Sequence, residues 1–196
     1  MRTGAVVLAA GKSSRMGANK LLLEVAGRTV LDRLLDALTQ AVDEVVVVTG
    51  NNPEPIRAIA SFHRVHVTNN PDHEKGMTTS FQAGLRAMPD VDGVFLVLGD
   101  QLGLRPELLR RMAAALEDVP ASLIVSPTHG GKRGHPVLFR WSLAGEILAL
   151  TGSLKEVVEA HADAHIYVEG GVWCTMDFDT PADFERAQRL YERSGE

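Results

Sequence analysis

The hydrophobic residues of this chain fall in short blocks that alternate between the spacing of strands and that of helices. Strand-length apolar runs occupy 5–10, 44–49, 65–68, 94–98, 122–125, 137–139 and 166–168. Helical spacing occupies 30–38, 78–88, 106–116, 143–150, 154–160 and a last segment from Pro181. Val-rich runs such as 44–49 are typical of parallel strands covered on both faces. The alternation predicts an α/β fold with an open, mostly parallel twisted sheet between helices.

The polar and glycine-rich segments of the chain follow these predicted strands. Right-handed crossovers in such a sheet place ligands outside the carboxyl ends of the strands, so we expect the functional loops to gather at that edge. One of these segments, 127–136, combines polar residues with several glycines and is predicted to be an irregular loop. No internal repeat or linker interrupts the pattern. The sequence therefore predicts a single domain over residues 1–196.

The first of these segments has the composition of a polyphosphate-binding loop. The apolar run 5–10 leads directly into Gly-Lys-Ser-Ser-Arg-Met-Gly-Ala-Asn-Lys at 11–20. Glycines let backbone N–H groups approach an anion closely, and Lys12, Arg15 and Lys20 supply the opposite charge. A loop that merely turned the chain would leave Arg15 and Lys20 unexplained.

Two commoner phosphate-binding signatures do not fit this loop. A P-loop requires a glycine five positions before Gly11, where this chain has Val6. A dinucleotide-binding fingerprint requires a second glycine where this chain has Ser13. The remaining pattern resembles the signature loop of nucleotidyltransferases that use a nucleoside triphosphate and release pyrophosphate.

Three further segments carry candidate chemistry. The turn-rich stretch 70–80 leads into a helix whose first residues Thr78, Thr79 and Ser80 offer hydroxyls to a ligand, although Thr78 or Thr79 is also a candidate N-cap. Asp100 follows a predicted strand and suits Mg²⁺, which prefers oxygen ligands, unless it caps the next segment. In 177–181, either Asp177 or Asp179 is placed to reach the metal, while Asp179 or Thr180 is placed to cap the last helix.

Two histidine-containing segments remain. The segment 131–136 places Lys132, Arg133 and His135 among glycines, which suits the phosphate of an acceptor substrate or, alternatively, a solvated basic turn. His161 and His165 are four residues apart, the spacing of a metal pair on a helix. However, 166–168 is predicted to be a strand, which argues against a shared helix face and against a zinc site.

Composition and charge exclude several classes of function. Hydrophobic residues make up 45% and charged residues 23% of the 196 residues, a typical globular balance. The net charge of −5 disfavours nucleic acid as a partner. No apolar stretch approaches the roughly 20 residues of a membrane span, so we expect a cytoplasmic protein. The single cysteine, Cys174, excludes an intrachain disulfide and is predicted to be a buried hydrophobe.

Taken together, the motifs resemble the molybdenum-cofactor nucleotidyltransferases, and within them the cytidylyltransferase branch. The family order is matched across nearly the whole chain: the Leu-Ala-Ala-Gly-x-Ser-x-Arg-Met-Gly-x-x-Lys loop at 8–20, Asn70-Pro71 with Gly76-Met77 and Ser80, Gly99-Asp100, Arg-Gly-His-Pro-Val at 133–137, and Asp179-Thr180-Pro181. The guanylyltransferase branch typically carries Gly where this chain has Ala10. Two positions depart from the family pattern: Leu102 replaces a frequent Pro, and Ser153 replaces a carboxylate.

The resemblance implies a three-layer, Rossmann-like fold of the nucleotide-diphospho-sugar transferase type and a role for each motif. It implies that Lys20, Arg15 and Asp100 are catalytic, that Asp100 and Asp179 hold Mg²⁺, and that Arg133 and His135 bind the acceptor. The nucleotide-binding residues that it implies are Ala9, Ala10, Gly11, Ser13, Arg15, Lys20, Gly76 and Ser80.

The predicted reaction is transfer of CMP from CTP to a phosphorylated molybdopterin, with release of pyrophosphate and dependence on Mg²⁺. The implied partners are CTP or another nucleoside triphosphate, the molybdopterin-type acceptor, and a molybdoenzyme or its chaperone. Two alternatives stay open: a nucleotidyltransferase that uses CTP or GTP with another phosphorylated acceptor, and a non-catalytic protein that binds and delivers nucleotide or cofactor.

Overall fold

The computed structural model describes residues 1–11 and 19–193. The strands are β1 (Thr3–Ala9), β2 (Glu24–Val25), β3 (Arg28–Thr29), β4 (Glu44–Thr49), β5 (His66–Asn69), β6 (Gly93–Leu98), β7 (Ile124–His129), β8 (Lys132–Arg133), β9 (Val137–Arg140) and β10 (His165–Glu169). The α-helices are α1 (Val30–Thr39), α2 (Glu54–Ala60), α3 (Met77–Ala87), α4 (Pro106–Asp118), α5 (Ala144–Ala149), α6 (Leu154–Ala160) and α7 (Pro181–Arg193).

The main sheet has the strand order β10-β7-β9-β6-β1-β4-β5, with β8 paired to β7. Strands β1, β4, β5 and β6 are mutually parallel, and β10 is parallel to β7. Strand β9 lies antiparallel between β6 and β7. The prediction of a mostly parallel sheet is confirmed, and the antiparallel strands β9 and β8 make it mixed.

Side chains from β1 enter both faces of the sheet, which explains its nearly uninterrupted apolar sequence. Ala5, Val7 and Ala9 belong to a core cluster with α1 and α4. Val6 belongs to the opposite cluster, which contains residues of α3, α5 and α6. This arrangement confirms three layers, because successive side chains of a strand point to opposite faces and each face is covered by helices.

Helix α7 closes a third, smaller core beside the sheet. Trp173, Phe178 and Tyr191 are buried there with Val25 and Val30. Cys174 is buried next to Trp173, as predicted. The small core fixes the segment between β10 and α7, and with it the polar residues on either side of Phe178.

The segment 127–136 is more regular than predicted. Strand β7 continues to His129 and pairs with β8 across a two-residue turn. Gly130 and Gly131 have φ values of 57° and 77°, the left-handed conformation that a tight hairpin turn requires at both positions. Glycine content therefore marks a hairpin turn here rather than an irregular loop.

Two local elements are absent from the sequence-based prediction. Helix α2 buries only Ile56 and Ala60, so it has too few apolar residues to produce a helical repeat. The β2–β3 hairpin contains two residues in each strand, too few for an alternating pattern. Neither element can therefore be recognised from the hydrophobic pattern of its own sequence.

The histidines that were considered as a metal pair have separate partners. Helix α6 ends at Ala160, and Nε2 of His161 contacts Oε2 of Glu146 at 2.8 Å. His165 begins β10, and its Nε2 contacts Oγ of Ser126 at 2.9 Å. Over residues 1–11 and 19–193, no group of three potential metal-binding side chains is found. The same residues contain no helix with the length and apolarity needed to cross a bilayer.

Candidate active site

A cavity of about 360 Å³ lies at the carboxyl ends of β1 and β6. Its walls come from segments that are distant in sequence: Ala10 and Gly11 after β1, Lys20 and Leu21, the loop before α3, and Gly99 and Asp100 after β6. The edge of the sheet that the crossover rule indicates is therefore the edge that carries the cavity. Ala9 ends β1 just before it and is buried.

Lys20 is held at the cavity wall by a short 3-10 turn, Lys20–Leu22. The side-chain Oδ1 of Asn19 accepts from the backbone N–H of Leu21 at 3.1 Å, which caps the turn. Leu21 is buried in the core, so the turn is anchored by an apolar side chain. The Lys20 ammonium is thereby fixed with only 12% of the side chain exposed.

The Lys20 ammonium bridges two of the carboxylates that the sequence proposes as metal ligands. Its Nζ donates to Oδ1 of Asp179 at 2.5 Å and to Oδ2 of Asp100 at 3.5 Å. The same Nζ lies 5.6 Å from the centre of the Phe178 ring. The Lys20 ammonium therefore links three segments of the chain: the one after β1, the one after β6 and the one before α7.

Asp100 reaches the cavity because β1 and β6 approach each other closely at Gly99. A Cβ atom at Gly99 would lie 2.7 Å from the backbone oxygen of Leu8 and 3.0 Å from Cδ2 of Leu21. The Gly99 N–H also donates to that Leu8 oxygen at 3.1 Å. Only glycine lets the chain leave β6 here without pushing β1 away.

Replacing Gly99 by alanine is expected to destabilise the fold by about 1–3 kcal/mol, because the added methyl group would overlap backbone. Displacement of Asp100 should also reduce the nucleotidyl transfer that the sequence resemblance implies. Urea unfolding gives the first effect, and steady-state turnover gives the second.

Gly145→Ala is the matched control, because a Cβ atom at Gly145 in α5 would meet nothing within 4 Å. That change should be neutral or stabilising, since alanine is a better helix former than glycine. Equal stability of the two variants would contradict the close-approach interpretation of Gly99.

The loop before α3 is fixed by Asn70. Its side-chain Nδ2 donates to the hydroxyl oxygens of Thr79 and Ser80, at 3.0 Å in each case. Its Oδ1 accepts from the N–H of Asp72 at 3.0 Å. Asn70 and Ser80 are both buried. The network therefore ties the end of β5 to the first turn of α3 and places Ser80 against the cavity.

The predicted N-cap at Thr78 or Thr79 is not the one observed. Helix α3 begins at Met77, its N-cap residue is Gly76, and no side chain caps it. The Thr79 hydroxyl instead donates to the backbone oxygen of Gly76 at 2.9 Å. The N–H groups at the start of α3 consequently do not donate a capping hydrogen bond to a threonine side chain. Gly76 and Ser80 both line the cavity.

The segment 177–181 separates the roles that the sequence left open. Thr180 Oγ1 accepts from the N–H of Asp183 at 3.2 Å, and the Thr180 N–H donates to Oδ2 of Asp183 at 3.2 Å. These reciprocal bonds are a helix cap, so Thr180 caps α7. Asp179 instead contacts Lys20, and Asp177 is exposed.

The donor set around Lys20 is compatible with a divalent metal. Asp100 Oδ2 and Asp179 Oδ1 contact the same ammonium and therefore lie within about 6 Å of each other. Mg²⁺ in nucleotide enzymes usually takes one or two carboxylates together with substrate phosphates. Asp100, in the cavity wall, and Asp179, which contacts Lys20 of the same wall, fit that requirement, with the phosphates supplied by the substrate.

The two candidate acceptor residues lie in different surroundings. Arg133 is exposed on β8. Burial, together with the positive charge of Arg133, lowers the pKa of His165 in β10. His135 lies nearer the cavity: burial lowers the pKa of its imidazole, against the opposing charges of Asp177 and Asp100. The His135 backbone is held on both sides, because its N–H donates to Cys174 O at 2.8 Å and its oxygen accepts from Gln101 Nε2 at 2.5 Å.

Some predicted residues lie outside the described ranges, and one cavity residue was missed. Ser13 and Arg15 fall within 12–18, of which the structure says nothing. Ser153 caps α6 through a capping box with Glu156. His73 lines the cavity, although the sequence analysis assigned it no role. Its position between Asn70-Pro71 and Gly76 was the available signal.

Comparison with known proteins identifies the family to which this arrangement belongs. The profile of the MobA-like NTP transferase domain matches residues 5–165, a range that includes the whole cavity wall described above. The chain belongs to the MobA-like NTP transferase family. It is therefore a nucleotidyltransferase, with a fold of the nucleotide-diphospho-sugar transferase type.

Relatives with assigned names include both branches of the family. The chain is 26% identical over 189 residues to a molybdenum cofactor cytidylyltransferase of Escherichia coli, covering 95% of each protein. It is 33% identical over 204 residues to a molybdenum cofactor guanylyltransferase of Rhodopseudomonas palustris, covering 96% of this chain and 93% of that one. The comparison thus supports the family and the transfer chemistry, whereas the choice of base is a separate question.

Solved structures match almost the whole fold. A nucleotidyl transferase from Methanothermobacter superimposes with a TM-score of 0.83 at 25% identity, covering 98% of this chain and 99% of the other. A Mycobacterium tuberculosis protein in complex with manganese matches with a TM-score of 0.73 at 28% identity, covering 96% and 99%. The second structure shows that this fold is compatible with a divalent metal.

Proposed function

We propose that this protein transfers CMP from CTP to a phosphorylated molybdopterin, releases pyrophosphate and requires Mg²⁺. The observation that carries the proposal is the meeting of Lys20, Asp100 and Asp179 at one end of a cavity whose other walls are Ala10, Gly11 and the first turn of α3. Cation and carboxylates suit a triphosphate with its metal, and the uncharged walls suit a base. Ala10, rather than glycine, supports CTP over GTP through the resemblance to the cytidylyltransferase branch.

In the proposed reaction, a phosphate oxygen of the acceptor attacks the α-phosphorus of CTP. The bond from that phosphorus to the bridging oxygen of pyrophosphate breaks, and pyrophosphate leaves in line. No general base is needed, because the acceptor phosphate is already ionised. Mg²⁺ would supply charge neutralisation on the phosphates, held by Asp100 and Asp179.

The roles of the protein's own residues follow from their positions. The Lys20 ammonium, held in place by two carboxylates, is directed to balance the negative charge that develops on the leaving phosphates. Arg15 is proposed to act beside it, as the resemblance implies. Backbone groups at Ala9, Ala10 and Gly11 and the Gly76–Ser80 turn frame the base, while Ser13 contributes to the phosphate loop. His135 and Arg133 are proposed to meet the acceptor.

A panel of nucleoside triphosphates, each offered with molybdopterin and Mg²⁺, tests this proposal directly. We expect CTP to give pyrophosphate release at a rate at least tenfold above that of GTP, UTP or ATP. The controls are CTP assays without acceptor or with excess chelator, and neither should give sustained release of pyrophosphate. Preference for GTP would contradict the base assignment.

The alternatives predict other outcomes in the same panel. CTP turnover with a sugar or polyol phosphate, but not with molybdopterin, would identify another acceptor. Nucleotide binding without pyrophosphate release in any combination would favour a delivery protein. The metal requirement is read from the same assays by comparing Mg²⁺ with Mn²⁺.

A further inference from the structure

His73 lies in the cavity wall and carries a buried polar atom that no described residue satisfies. Its Nδ1 lies 3.2 Å from the backbone oxygen of Asn70. Since a carbonyl oxygen only accepts, Nδ1 must carry the proton and donate. Its Nε2 is buried and has no hydrogen-bond partner among residues 1–11 and 19–193. Buried polar atoms without partners are rare in folded proteins, and each calls for an explanation such as a bound water, an ion or a functional role.

The position of the imidazole is fixed from two sides. The bond to Asn70 holds one edge of the ring. The other edge packs against Gly50, where a Cβ atom would lie 2.7 Å from Cγ and 2.9 Å from Cδ2 of the ring. A Cβ atom at Gly50 would also lie 2.9 Å from the backbone oxygen of Ala10. The ring is therefore seated between the ends of β1, β4 and β5 in a fixed orientation.

The contacts of His73 place it on the side of the cavity away from Asp100. Asp100 follows β6, whereas the His73 ring packs on Gly50, which directly follows β4. Strand β1 lies between β6 and β4. Neighbouring strands are about 4.8 Å apart, so β6 and β4 are separated by roughly 10 Å. The proposed function puts the triphosphate beside Lys20 and Asp100 and the base at the Gly76–Ser80 turn, which follows His73 closely in the chain.

We infer that Nε2 of His73 accepts a hydrogen bond from the exocyclic amino group of the nucleotide base and so selects cytosine over uracil. This inference rests on the proposed function, because it assumes that the cavity holds a nucleotide. In the tautomer in which Nδ1 carries the proton and donates, Nε2 has a lone pair that can accept a hydrogen bond. Cytosine has an amino donor at C4, whereas uracil has a carbonyl oxygen there that would face this lone pair.

The test compares CTP with its analogue in which hydrogen replaces the 4-amino group. Isothermal titration with Mg²⁺ and without acceptor measures the Kd of both ligands and avoids turnover. We expect the unaltered protein to bind CTP roughly tenfold more tightly than the analogue, the effect of one buried hydrogen bond. UTP should bind more weakly still.

Two variants separate the hydrogen bond from the shape of the pocket. His73→Asn keeps an amide in place of Nδ1 towards Asn70 and removes Nε2, while His73→Phe keeps the ring and removes both nitrogens. Each should bind CTP and the analogue with nearly equal Kd. His66→Phe, on the exposed side of β5, is the matched control and should keep the tenfold preference.

The outcomes of this experiment test the role of His73 separately from the proposed function. Equal binding of CTP and the analogue by the unaltered protein, or an undiminished preference in a folded His73 variant, would overturn the role of His73 while leaving the proposed function in place. Failure of the unaltered protein to bind any nucleoside triphosphate would overturn both. Loss of the preference in every His73 variant that folds supports the inference.

Discussion

Replacing Lys20 by alanine is expected to lower kcat for nucleotidyl transfer by roughly a thousandfold. The Lys20 ammonium is the described cation that contacts both candidate metal ligands, at 2.5 Å from Asp179 and 3.5 Å from Asp100. Without it, the charge on the departing pyrophosphate is balanced only by the metal and the phosphate loop. Pyrophosphate release at saturating CTP, acceptor and Mg²⁺ measures the effect.

The controls for this variant separate catalysis from folding. Lys155→Ala removes an exposed lysine of α6 that pairs with Glu159, and its kcat should be unchanged. Lys20→Arg keeps the positive charge and should recover part of the lost rate. Thermal unfolding should show that Lys20→Ala remains folded. A folded Lys20→Ala protein with ordinary kcat would remove Lys20 from the mechanism.

Replacing Asp100 by asparagine is expected to lower metal-dependent activity at least a hundredfold and to raise the Mg²⁺ concentration needed for half-maximal rate. Asparagine preserves the volume of the side chain, so the close packing at Gly99 is undisturbed. It removes the negative charge of the carboxylate, the side-chain group through which proteins usually bind Mg²⁺. Initial rates over a range of Mg²⁺ concentrations measure both changes.

Three aspartates provide comparisons for Asp100→Asn. Asp179→Asn should also raise the Mg²⁺ requirement, because Asp179 shares the Lys20 ammonium with Asp100. Asp177→Asn should raise it much less. Asp118→Asn, at the far end of α4, should have no effect. An unaltered Mg²⁺ dependence in the Asp100 variant would exclude it as a ligand, and a stronger effect at Asp177 than at Asp179 would reverse their assignment.

The positions of several candidate site residues could be predicted from sequence because they depend on short-range patterns. An apolar run that ends in Gly99-Asp100 places a carboxylate at the carboxyl end of a strand, wherever that strand lies in the sheet. The same holds for Gly11 and Lys20 after β1. Because parallel strands end at one edge, these residues were expected to approach each other, and they line one cavity.

Other features of the site escaped prediction because they depend on contacts between distant segments. The contact between Asp179 and Lys20, which are 159 residues apart along the chain, could not be predicted from either segment alone. The position of His73 required the packing of its ring on Gly50. The β7–β8 hairpin was not predicted, because a glycine-rich composition is typical of an irregular loop and of a tight turn alike. Local sequence carries no information on which of two adjacent side chains faces a remote partner.

The sequence by itself determined the alternation of strands and helices, the three-layer class of the fold, and the edge of the sheet at which polar loops gather. These features follow from the periods of strand and helix and from the handedness of crossovers, which act over a few residues or are general. Only the tertiary structure decided that Lys20 contacts both Asp100 and Asp179, that Thr180 caps α7, and that the buried Nε2 of His73, in the cavity wall, has no partner among the described residues. Those relations are set by the order of strands in the sheet and by packing of side chains, which bring together segments that no local pattern connects.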